Sequence, residues 1–457
     1  MASGAPPRGA SLARLSADSV LPSLALVTVI AVPLYAWRVR SRAYAVFGLV
    51  ILAMALPGAL LVHARLRELF GPWPRLALDA LFVWGVASAG LHLLALVRAR
   101  LRPEPFRWLV SVAGQTFLAA GFLSGIFLIA LLPVRLAFDL LGWQAPIAAL
   151  RWLDLLPLAI AGISVVTSTR LRPEHVRVAL GGESSGVFER APVERLRRHA
   201  PVSERSALRV VQIADPHLGP WQQVAKLRAS LERLLESEPD LVLVTGDLLT
   251  MEGMGSPGQL ALALAPLARF SGKSFACLGN HDHEAPDEVR SALEACGVRL
   301  LVDEEVAVET SAGAVQILGS DWISRERAAH LADLFARHPR RPDHLRLLLL
   351  HDPSAFEHVP DGAADLTFSG HTHGGQLGLV SLGLDWTVLA GTRWPDHGFF
   401  ARGRNRLYVH RGTGFYGFPL RIGVPGENSV LDVDLGAGLR STAPIRSGRG
   451  ASGSARQ

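Results

Sequence analysis

The sequence predicts a two-part fold, in which several transmembrane α-helices precede one layered α/β domain. The mean hydropathy is +0.27 and 49% of the 457 residues are hydrophobic, which is high for a protein that lies wholly in water. Almost all of this excess lies before Ser168, in long apolar stretches. After Leu208, short apolar runs alternate with amphipathic helical stretches, a pattern typical of α/β proteins.

Five apolar stretches are candidates for membrane-spanning helices. The second, third and fourth reach the roughly 20 apolar residues that cross a hydrocarbon core. The first is slightly short and contains Pro33, and the fifth contains Arg151 and Asp154, so the sequence predicts four or five spans. Because Arg151 and Asp154 lie three positions apart, we expect them to pair with each other. The stretches are Leu21–Trp37, Ala43–Val62, Leu76–Val97, Trp108–Val134 and Ile147–Thr167.

The ends of these stretches carry arginine and tryptophan residues, as membrane interfaces do. The net charge of +6 comes largely from these arginines and not from a basic patch interleaved with aromatic residues, which argues against nucleic-acid binding. If five spans cross, the distribution of arginines places the second half in the cytoplasm. We therefore expect a multi-pass protein of a bacterial cell membrane. Cys277 and Cys296 lie in apolar runs and are predicted to be buried free thiols.

The rest of the predicted domain organisation follows from changes in composition along the chain. A basic run at Arg195, Arg197 and Arg198 either forms a solvated helix face or contacts anionic lipid, and His175–Leu180 before it alternates like a strand. The C-terminal stretch is rich in Gly, Ser, Ala and Arg and cannot bury a core. The predicted order is an N-terminal tail (1–20), a membrane region (21–167), a basic linker (168–207), an α/β domain (208–435) and a disordered tail (436–457).

Five of the predicted strands in the second half are followed directly by side chains that bind metals in other proteins. Such loops lie at the carboxyl ends of strands, so we expect them to meet at one edge of one sheet. The groups are Asp215 and His217 after Leu208–Ile213, Asp247 after Leu241–Thr245, Asn280, His281 and Asp282 after Ser274–Leu278, His351 after Leu345–Leu350, and His371 and His373 after Asp365–Phe368. A further strand is predicted at Val315–Gly319, and helices at Trp221–Glu236, Gln259–Phe270, Asp287–Ala295 and Glu326–Arg337.

The spacing and the residue types of these groups predict a metal centre. Side chains two positions apart in an extended segment point the same way, so Asp215 and His217 can reach the same metal or adjacent metals, as can His371 and His373. Asp247 follows a buried strand, and its carboxylate can bridge two cations. A set of Asp, Asn and His without thiolates suits Mn, Fe, Zn or Ni. Each motif alone is common in unrelated settings, and their occurrence in order after five strands supports the prediction.

These motifs resemble those of the calcineurin-like metallophosphoesterase family, whose pattern is Asp-x-His, Gly-Asp, Gly-Asn-His-Asp/Glu, His and Gly-His-x-His in that order. The resemblance covers about Leu208 to Leu435. The runs at His371–Gln376, Arg411–Gly414 and Pro419–Arg421 are similar to a bacterial subgroup related to UDP-diacylglucosamine hydrolases, in which multispan forms occur. The sequence departs from the family at Ala214 and Pro216, which flank the first Asp, and its end lacks the usual Pro-Glu-Ile.

The resemblance implies a four-layer α/β sandwich and two divalent metal ions. His281 would donate a hydrogen bond or a proton to the leaving oxygen, and Asp282 would orient His281. The first metal ion would be held by Asp215, His217, Asp247 and His373, and the second by Asp247, Asn280, His351 and His371.

The expected function is metal-dependent hydrolysis of a phosphoester or pyrophosphate that is lipid-borne or lies near the membrane. The alternative is a membrane sensor or binding module that holds a phosphate ligand at the same metal site. A transporter is disfavoured because the apolar stretches contain few ionisable residues, and these are Asp79, His92, Arg151 and Asp154.

Overall fold

The computed structural model describes residues 17–182, 184, 186–196, 207–392 and 394–435. Its first half contains five helices that are long and apolar enough to cross a membrane, which confirms the predicted helical region and gives the higher of the two predicted counts. The fourth helix includes a π-helical segment at Arg107–Val112. The helices are α1 (Ala17–Val39), α2 (Arg42–Arg67), α3 (Pro72–Val97), α4 (Glu104–Leu140) and α5 (Gln144–Thr169).

The charged residues of α5 form ion pairs with residues outside α5. The carboxylate of Asp154 is 2% exposed and lies 2.6 Å from Nε of Arg65 and 2.5 Å from a terminal nitrogen of Arg135. Arg151 lies 3.1 Å from Glu68. The prediction that Arg151 and Asp154 pair with each other is therefore wrong. Asp154 points into the helix bundle, where two arginines of neighbouring helices offset the cost of burying its charge.

The described residues of the second half form two seven-stranded sheets. The strands are β1 (Leu171–Ala179), β2 (Glu189–Arg190), β3 (Glu194–Arg195), β4 (Leu208–Ile213), β5 (Leu241–Thr245), β6 (Ser274–Cys277), β7 (Arg299–Leu300), β8 (Glu304–Thr310), β9 (Gly313–Gly319), β10 (Leu345–Leu349), β11 (Leu366–Ser369), β12 (Gly398–Arg402), β13 (Asn405–Val409) and β14 (Gly426–Asp434). The first sheet has the order β3-β1-β14-β4-β5-β6-β7 and the second has the order β2-β12-β13-β11-β10-β9-β8.

Helices cover the outer faces of both sheets and complete the four predicted layers. Side chains from the two sheets, among them Val210, Leu243, Leu347 and Phe368, form one buried cluster between them. Strands β4, β5 and β10 are buried along their whole length, which explains why they are continuous apolar runs. The helices are α6 (Val224–Leu235), α7 (Met251–Met254), α8 (Gln259–Leu264) and α9 (Pro286–Ala295), which accompany the first sheet, and α10 (Arg327–Arg337), which packs on the second.

The motif loops leave two sheets, and the prediction of a single sheet edge is therefore wrong. Strands β4, β5 and β6 belong to the first sheet, whereas β10 and β11 belong to the second. The sheets pack face to face, so loops from both can still meet at one end of the sandwich. Cys277 and Cys296 are buried free thiols, as predicted.

The predicted linker contains a strand of the first sheet. Strand β1 pairs in parallel with β14 over nine residues, from Leu171 to Ala179. Only Arg170 lies between the end of α5 and the start of β1. Of the basic run, Arg195 ends β3, whereas Arg197 and Arg198 lie outside the described residues, as do residues 1–16 and the predicted tail at 436–457.

The α/β domain contacts the ends of the helices directly. The hydroxyl of Thr167 donates to the carbonyl of Arg421 at 2.5 Å, and the amide of Arg421 donates to the hydroxyl of Ser168 at 2.9 Å. On the other side of the contact, the amide of Leu101 donates to the hydroxyl of Ser256 at 2.7 Å. The α3–α4 loop and the end of α5 therefore lie on the side of the bundle that faces the domain.

Candidate metal centre

Three buried side chains from the first and last motifs form one cluster. Nε2 of His217 lies 3.2 Å from Nε2 of His373, and the latter lies 3.7 Å from Oδ1 of Asp215. One potential ligand atom from each residue lies within 4.8 Å of those of the other two. The spacing is short enough for one cation to contact all three.

A second cluster is formed by Asp247, His351 and His371. Nε2 of His351 lies 3.4 Å from Oδ2 of Asp247 and 3.3 Å from Nδ1 of His371. Nδ1 of His351 contacts the carbonyl of Thr245 at 2.7 Å, and a proton donated there leaves the lone pair of Nε2 directed at the cluster. Such a backbone contact is typical of histidines that bind metals.

The carboxylate of Asp247 lies between the two clusters. Its Oδ2 is 3.4 Å from Nε2 of His351 in the second cluster and 3.8 Å from Nε2 of His217 in the first. Its Oδ1 accepts a hydrogen bond from the amide of His281 at 2.8 Å, which fixes the orientation of the carboxylate. One oxygen is therefore close to both groups of potential ligands.

One buried acceptor atom without a donor and two buried carboxylates indicate that the centre suits cations. Oδ1 of Asn280 is buried and has no hydrogen-bond partner among the described residues. An unpaired buried carbonyl is costly, and a bound cation would remove this cost. Two carboxylates, those of Asp215 and Asp247, are buried nearby. The residues present therefore fit the two divalent ions that the motifs predict.

The backbone at the centre adopts a conformation that is rare outside glycine. Five of the ten described non-glycine residues with positive φ belong to the motifs. Such conformations cost about 1–3 kcal/mol each and persist where the surrounding structure enforces them, often at functional sites. The five residues are Asp215 (φ 50°), His217 (φ 46°), Asp247 (φ 57°), His371 (φ 68°) and His373 (φ 51°).

Burial controls the protonation of these groups. It lowers the pKa of His217 to about 3 and that of His371 to about 4, so both imidazoles are neutral near pH 7 and can bind metal. Burial and the negative charge of Asp247 raise the pKa of Asp215 to about 7, against the opposing charge of His351. Burial also lowers the pKa of His351, but the adjacent carboxylate of Asp247 outweighs burial and raises this pKa to about 10, so a cation that binds at Nε2 displaces a proton.

His281 lies beside both clusters, and its ring contacts two residues that the sequence motifs did not include. Its Nδ1 is 3.0 Å from Oε1 of Glu284, and the centroid of its ring is 4.3 Å from that of Tyr416. Burial alone would lower the pKa of His281, but the hydrogen bond to Glu284 and the charge of Asp247 raise it. The imidazolium form therefore persists to higher pH than in a free histidine.

Asp282 contacts backbone amides. Its carboxylate accepts hydrogen bonds at 2.8 Å from the amides of Asp247, Leu248 and Gly279. Both oxygens are used in this way, and Glu284 is the acid that contacts the imidazole of His281. The prediction that Asp282 orients the ring of His281 is corrected accordingly, because Asp282 holds the loops after β5 and β6 together.

Glu284, Tyr416 and Arg421 were missed by the sequence reasoning. Glu284 follows His281 by three positions in a helical turn, a spacing that could have indicated contact. Tyr416 comes from a distant loop and carries no local signal, whereas Arg421 lies in the Pro419–Arg421 run that resembles the subgroup but was assigned no role in the site. Arg421 is fully buried, and one of its terminal nitrogens donates to the carbonyls of Arg411 and Gly414 at 2.6 Å while lying 3.2 Å from Nδ1 of His373.

Comparison with known proteins identifies the family of the α/β domain. The calcineurin-like phosphoesterase family matches residues 208–375. Phosphodiesterase YaeI of Escherichia coli is 27% identical over 235 residues, which cover 49% of this chain and 82% of that protein. The uncharacterized metallophosphoesterase YkuE of Bacillus subtilis is 30% identical over 236 residues, which cover 49% of this chain and 78% of that protein.

A third relative resembles more than the α/β domain. A transmembrane protein with metallophosphoesterase domain from Bos taurus is 29% identical over 353 residues, which cover 72% of this chain and 74% of that protein. The aligned part of this chain is longer than the whole stretch from residue 208 to residue 457, so the match includes residues that precede the α/β domain. The chain therefore belongs to the calcineurin-like metallophosphoesterase family, as a phosphoester hydrolase with five apolar helices ahead of its catalytic domain.

Proposed function

We propose that this protein hydrolyses a lipid-borne or membrane-proximal phosphoester or pyrophosphate at a dinuclear metal centre. The observation that carries the proposal is the position of Asp247, one oxygen of which lies 3.4 Å and 3.8 Å from histidines of the two clusters. A carboxylate so placed can be a ligand shared by two cations. Two ions about 3.5–4 Å apart suit the hydrolysis of phosphoesters.

In this proposal each cluster provides most of the ligands of one ion. Asp247 serves both ions, and Asn280 joins the second cluster through its unpaired buried oxygen. The ions are of the class Mn, Fe, Zn or Ni, because the donors are carboxylate, amide and imidazole groups. The first ion is held by Asp215, His217, Asp247 and His373, and the second by Asp247, Asn280, His351 and His371.

Bound divalent ions supply an activated water and the positive charge that offsets charge developing on the phosphoryl oxygens. The residues of the chain perform the remaining tasks. His281, kept protonated by Glu284, donates a proton to the leaving oxygen as its bond to phosphorus breaks. Asp282 holds the loops that carry Asp247 and Asn280 in register through the amides that it accepts.

The attachment of the domain to the helices supports a substrate at the membrane. A soluble metabolite requires no such attachment, whereas a lipid phosphoester, including a lipid pyrophosphate like those of UDP-diacylglucosamine hydrolases, diffuses next to the site. We further propose that the domain lies on the cytoplasmic face. The helix ends on its side carry more arginines than the opposite ends, and these are Arg38, Arg40, Arg42, Arg98, Arg100, Arg102, Arg170 and Arg172 against Arg65, Arg67, Arg75, Arg135 and Arg151.

The test uses the full-length protein in lipid nanodiscs. Metal content is measured by mass spectrometry, and kcat/KM is measured for lipid phosphoesters and pyrophosphates and for their water-soluble headgroups. Two equivalents of metal and a preference for the lipid forms would support the proposal. Equal or better hydrolysis of the soluble headgroups would refute the lipid substrate. Tight phosphate binding with no hydrolysis of any compound would instead favour a sensor.

A further inference from the structure

An apolar groove lies between the membrane helices and the catalytic domain. Its empty volume is about 760 Å³, including the space at its open mouth. Helices α2, α3 and α4 form one wall, and loops of the catalytic domain form the other. The apolar side chains that define it include Phe47, Ile51, Leu96, Leu118, Trp221 and Phe415.

The groove extends along the helices to the depth of lipid acyl chains. Ile51 lies nine residues after the start of α2 at Arg42, which corresponds to about 14 Å along the helix axis. The headgroup region of a bilayer is about 5–8 Å thick on each side, so this depth lies within the hydrocarbon core. Phe418 of the catalytic domain packs against Phe122 of α4, with ring centroids 5.6 Å apart, so the loop that carries it lies among the helices.

Most polar side chains along the groove are hydrogen-bonded within the protein, whereas one carboxylate oxygen of Glu252, which also lines the groove, is buried without a hydrogen-bond partner among the described residues. Gln115 contacts Nε2 of His92 at 2.9 Å and accepts a hydrogen bond from the indole of Trp221. The hydroxyl of Thr250 donates to the carbonyl of Leu218 at 3.0 Å. The interior therefore presents mainly hydrocarbon surface, and burial of an apolar occupant is favourable there. Phe47, at the edge of the groove, is 37% exposed on a surface that faces lipid in a bilayer.

Tyr416 connects the groove to the metal centre. Its side chain lines the groove, and its ring centroid lies 4.3 Å from that of His281 and 5.1 Å from that of His217. A molecule that fills the groove and extends past Tyr416 therefore reaches the groups proposed to act on the phosphoryl oxygen. Apolar surface and catalytic groups are thus continuous along one path.

We propose that the groove binds one acyl or alkyl chain of the substrate and thereby places the attached phosphoryl group at the metal centre. This inference rests on the proposed function and adds the position and the chemistry of the lipid-binding site. The occupant is a single hydrocarbon chain from the adjacent leaflet, because the walls are membrane helices and Tyr416, which lines the groove, adjoins the active site.

The experiment measures hydrolysis of methyl, butyl, hexyl and octyl p-nitrophenyl phosphates by the full-length protein in nanodiscs. The oxygen of water bonds to phosphorus, and the bond between phosphorus and the nitrophenyl oxygen breaks with release of nitrophenolate. The readout is the change of kcat/KM for each added methylene. A methylene that becomes fully buried corresponds to a gain of up to about fourfold.

Two tryptophan variants of neighbouring residues separate binding in the groove from partitioning into the bilayer. Ile51→Trp fills the groove, whereas Val50→Trp enlarges a side chain that is 48% exposed and lies outside it. Partitioning of the substrate into the bilayer would raise the rates for longer alkyl chains equally in both variants. We expect kcat/KM to rise with each added methylene in wild type and in Val50→Trp. In Ile51→Trp this rise should disappear, so that each methylene changes kcat/KM by a factor of about one. Leu118→Trp, on α4, should behave as Ile51→Trp does.

Identical chain-length dependence in all four proteins, or none in wild type, would overturn the inference. If neither groove variant folds, labelling of wild type with an octyl phosphonate that carries a terminal diazirine decides the question. Label on groove residues would support the inference, and label confined to the outer helix surface would refute it. Failure to hydrolyse any of these diesters and any of the lipid phosphoesters and pyrophosphates named above would refute the proposed hydrolase function instead.

Discussion

Replacing Glu284 by Gln should shift the pH dependence of hydrolysis to lower pH. Glu284 lies 3.0 Å from Nδ1 of His281, and its hydrogen bond and negative charge raise the pKa of His281 against the lowering effect of burial. A group with a raised pKa keeps its proton to higher pH. If His281 is the general acid, kcat/KM falls as pH rises through this pKa, and loss of the carboxylate moves that fall to lower pH.

The size of the shift follows from the exposure of the pair. The side chain of Glu284 is 51% exposed and that of His281 is 19% exposed, so solvent screens much of their interaction. Exposed ion pairs contribute about 0.2–1 kcal/mol. One pKa unit corresponds to about 1.4 kcal/mol, so Glu284→Gln should lower the pKa of His281 by about 0.1 to 0.7.

The assay is kcat/KM of a soluble phosphoester with a poor leaving group, which requires the general acid, measured against pH for wild type, Glu284→Gln and Asp287→Asn. Asp287 is an exposed acid in the first turn of the next helix, and its replacement removes the same charge. Metal content is measured in parallel. The alkaline limb should move only in Glu284→Gln. An unmoved limb in that variant, or an equal shift in Asp287→Asn, would refute the role assigned to Glu284.

Three further variants test other parts of the centre. Asp247→Asn should remove one equivalent of metal and nearly all hydrolysis while the fold is kept, and two retained equivalents with full activity would contradict the shared ligand. His281→Ala should lower kcat by about 10²–10⁴-fold with both metals bound, and less for aryl esters with very good leaving groups; equal losses for good and poor leaving groups would exclude a general acid. Asp282→Ala leaves the amides of Asp247, Leu248 and Gly279 without their acceptor and should destabilise the fold by about 3 kcal/mol or more, measured by denaturant unfolding; unchanged stability would contradict its role in joining the loops.

The sequence predicted the apolar buried strands of the sandwich, because strands covered on both faces are continuous apolar runs, but it missed the buried strand β13. Strand β14 was also missed, because it is not a continuous apolar run. Its segment Gly426–Asp434 contains Glu427 and Asp432, which are nearly fully buried. Arg411 lies 2.8 Å from Glu427, and Arg209 lies 2.7 Å from Asp432. These partners are distant in sequence, so a local pattern could not indicate that the segment is central.

The same distinction applies to the site and to the membrane helices. The types of the potential ligands could be predicted, because each follows a strand and nothing beyond the local pattern was needed. The partners of Asp154 could not be predicted, because Arg65 and Arg135 belong to other helices. The contact between His281 and Tyr416 likewise depends on how a distant loop packs against the helices.

The short junction at Arg170 determines how the enzyme encounters its substrate. Helix α5 ends at Thr169 and strand β1 begins at Leu171, where nine residues pair with β14. No flexible tether separates the bilayer from the sheet, so the catalytic centre stays at a constant height above the membrane surface. For a lipid substrate, the three-dimensional search of a soluble enzyme becomes a two-dimensional search within a single leaflet, and lateral diffusion brings each headgroup to the same level as the metal centre.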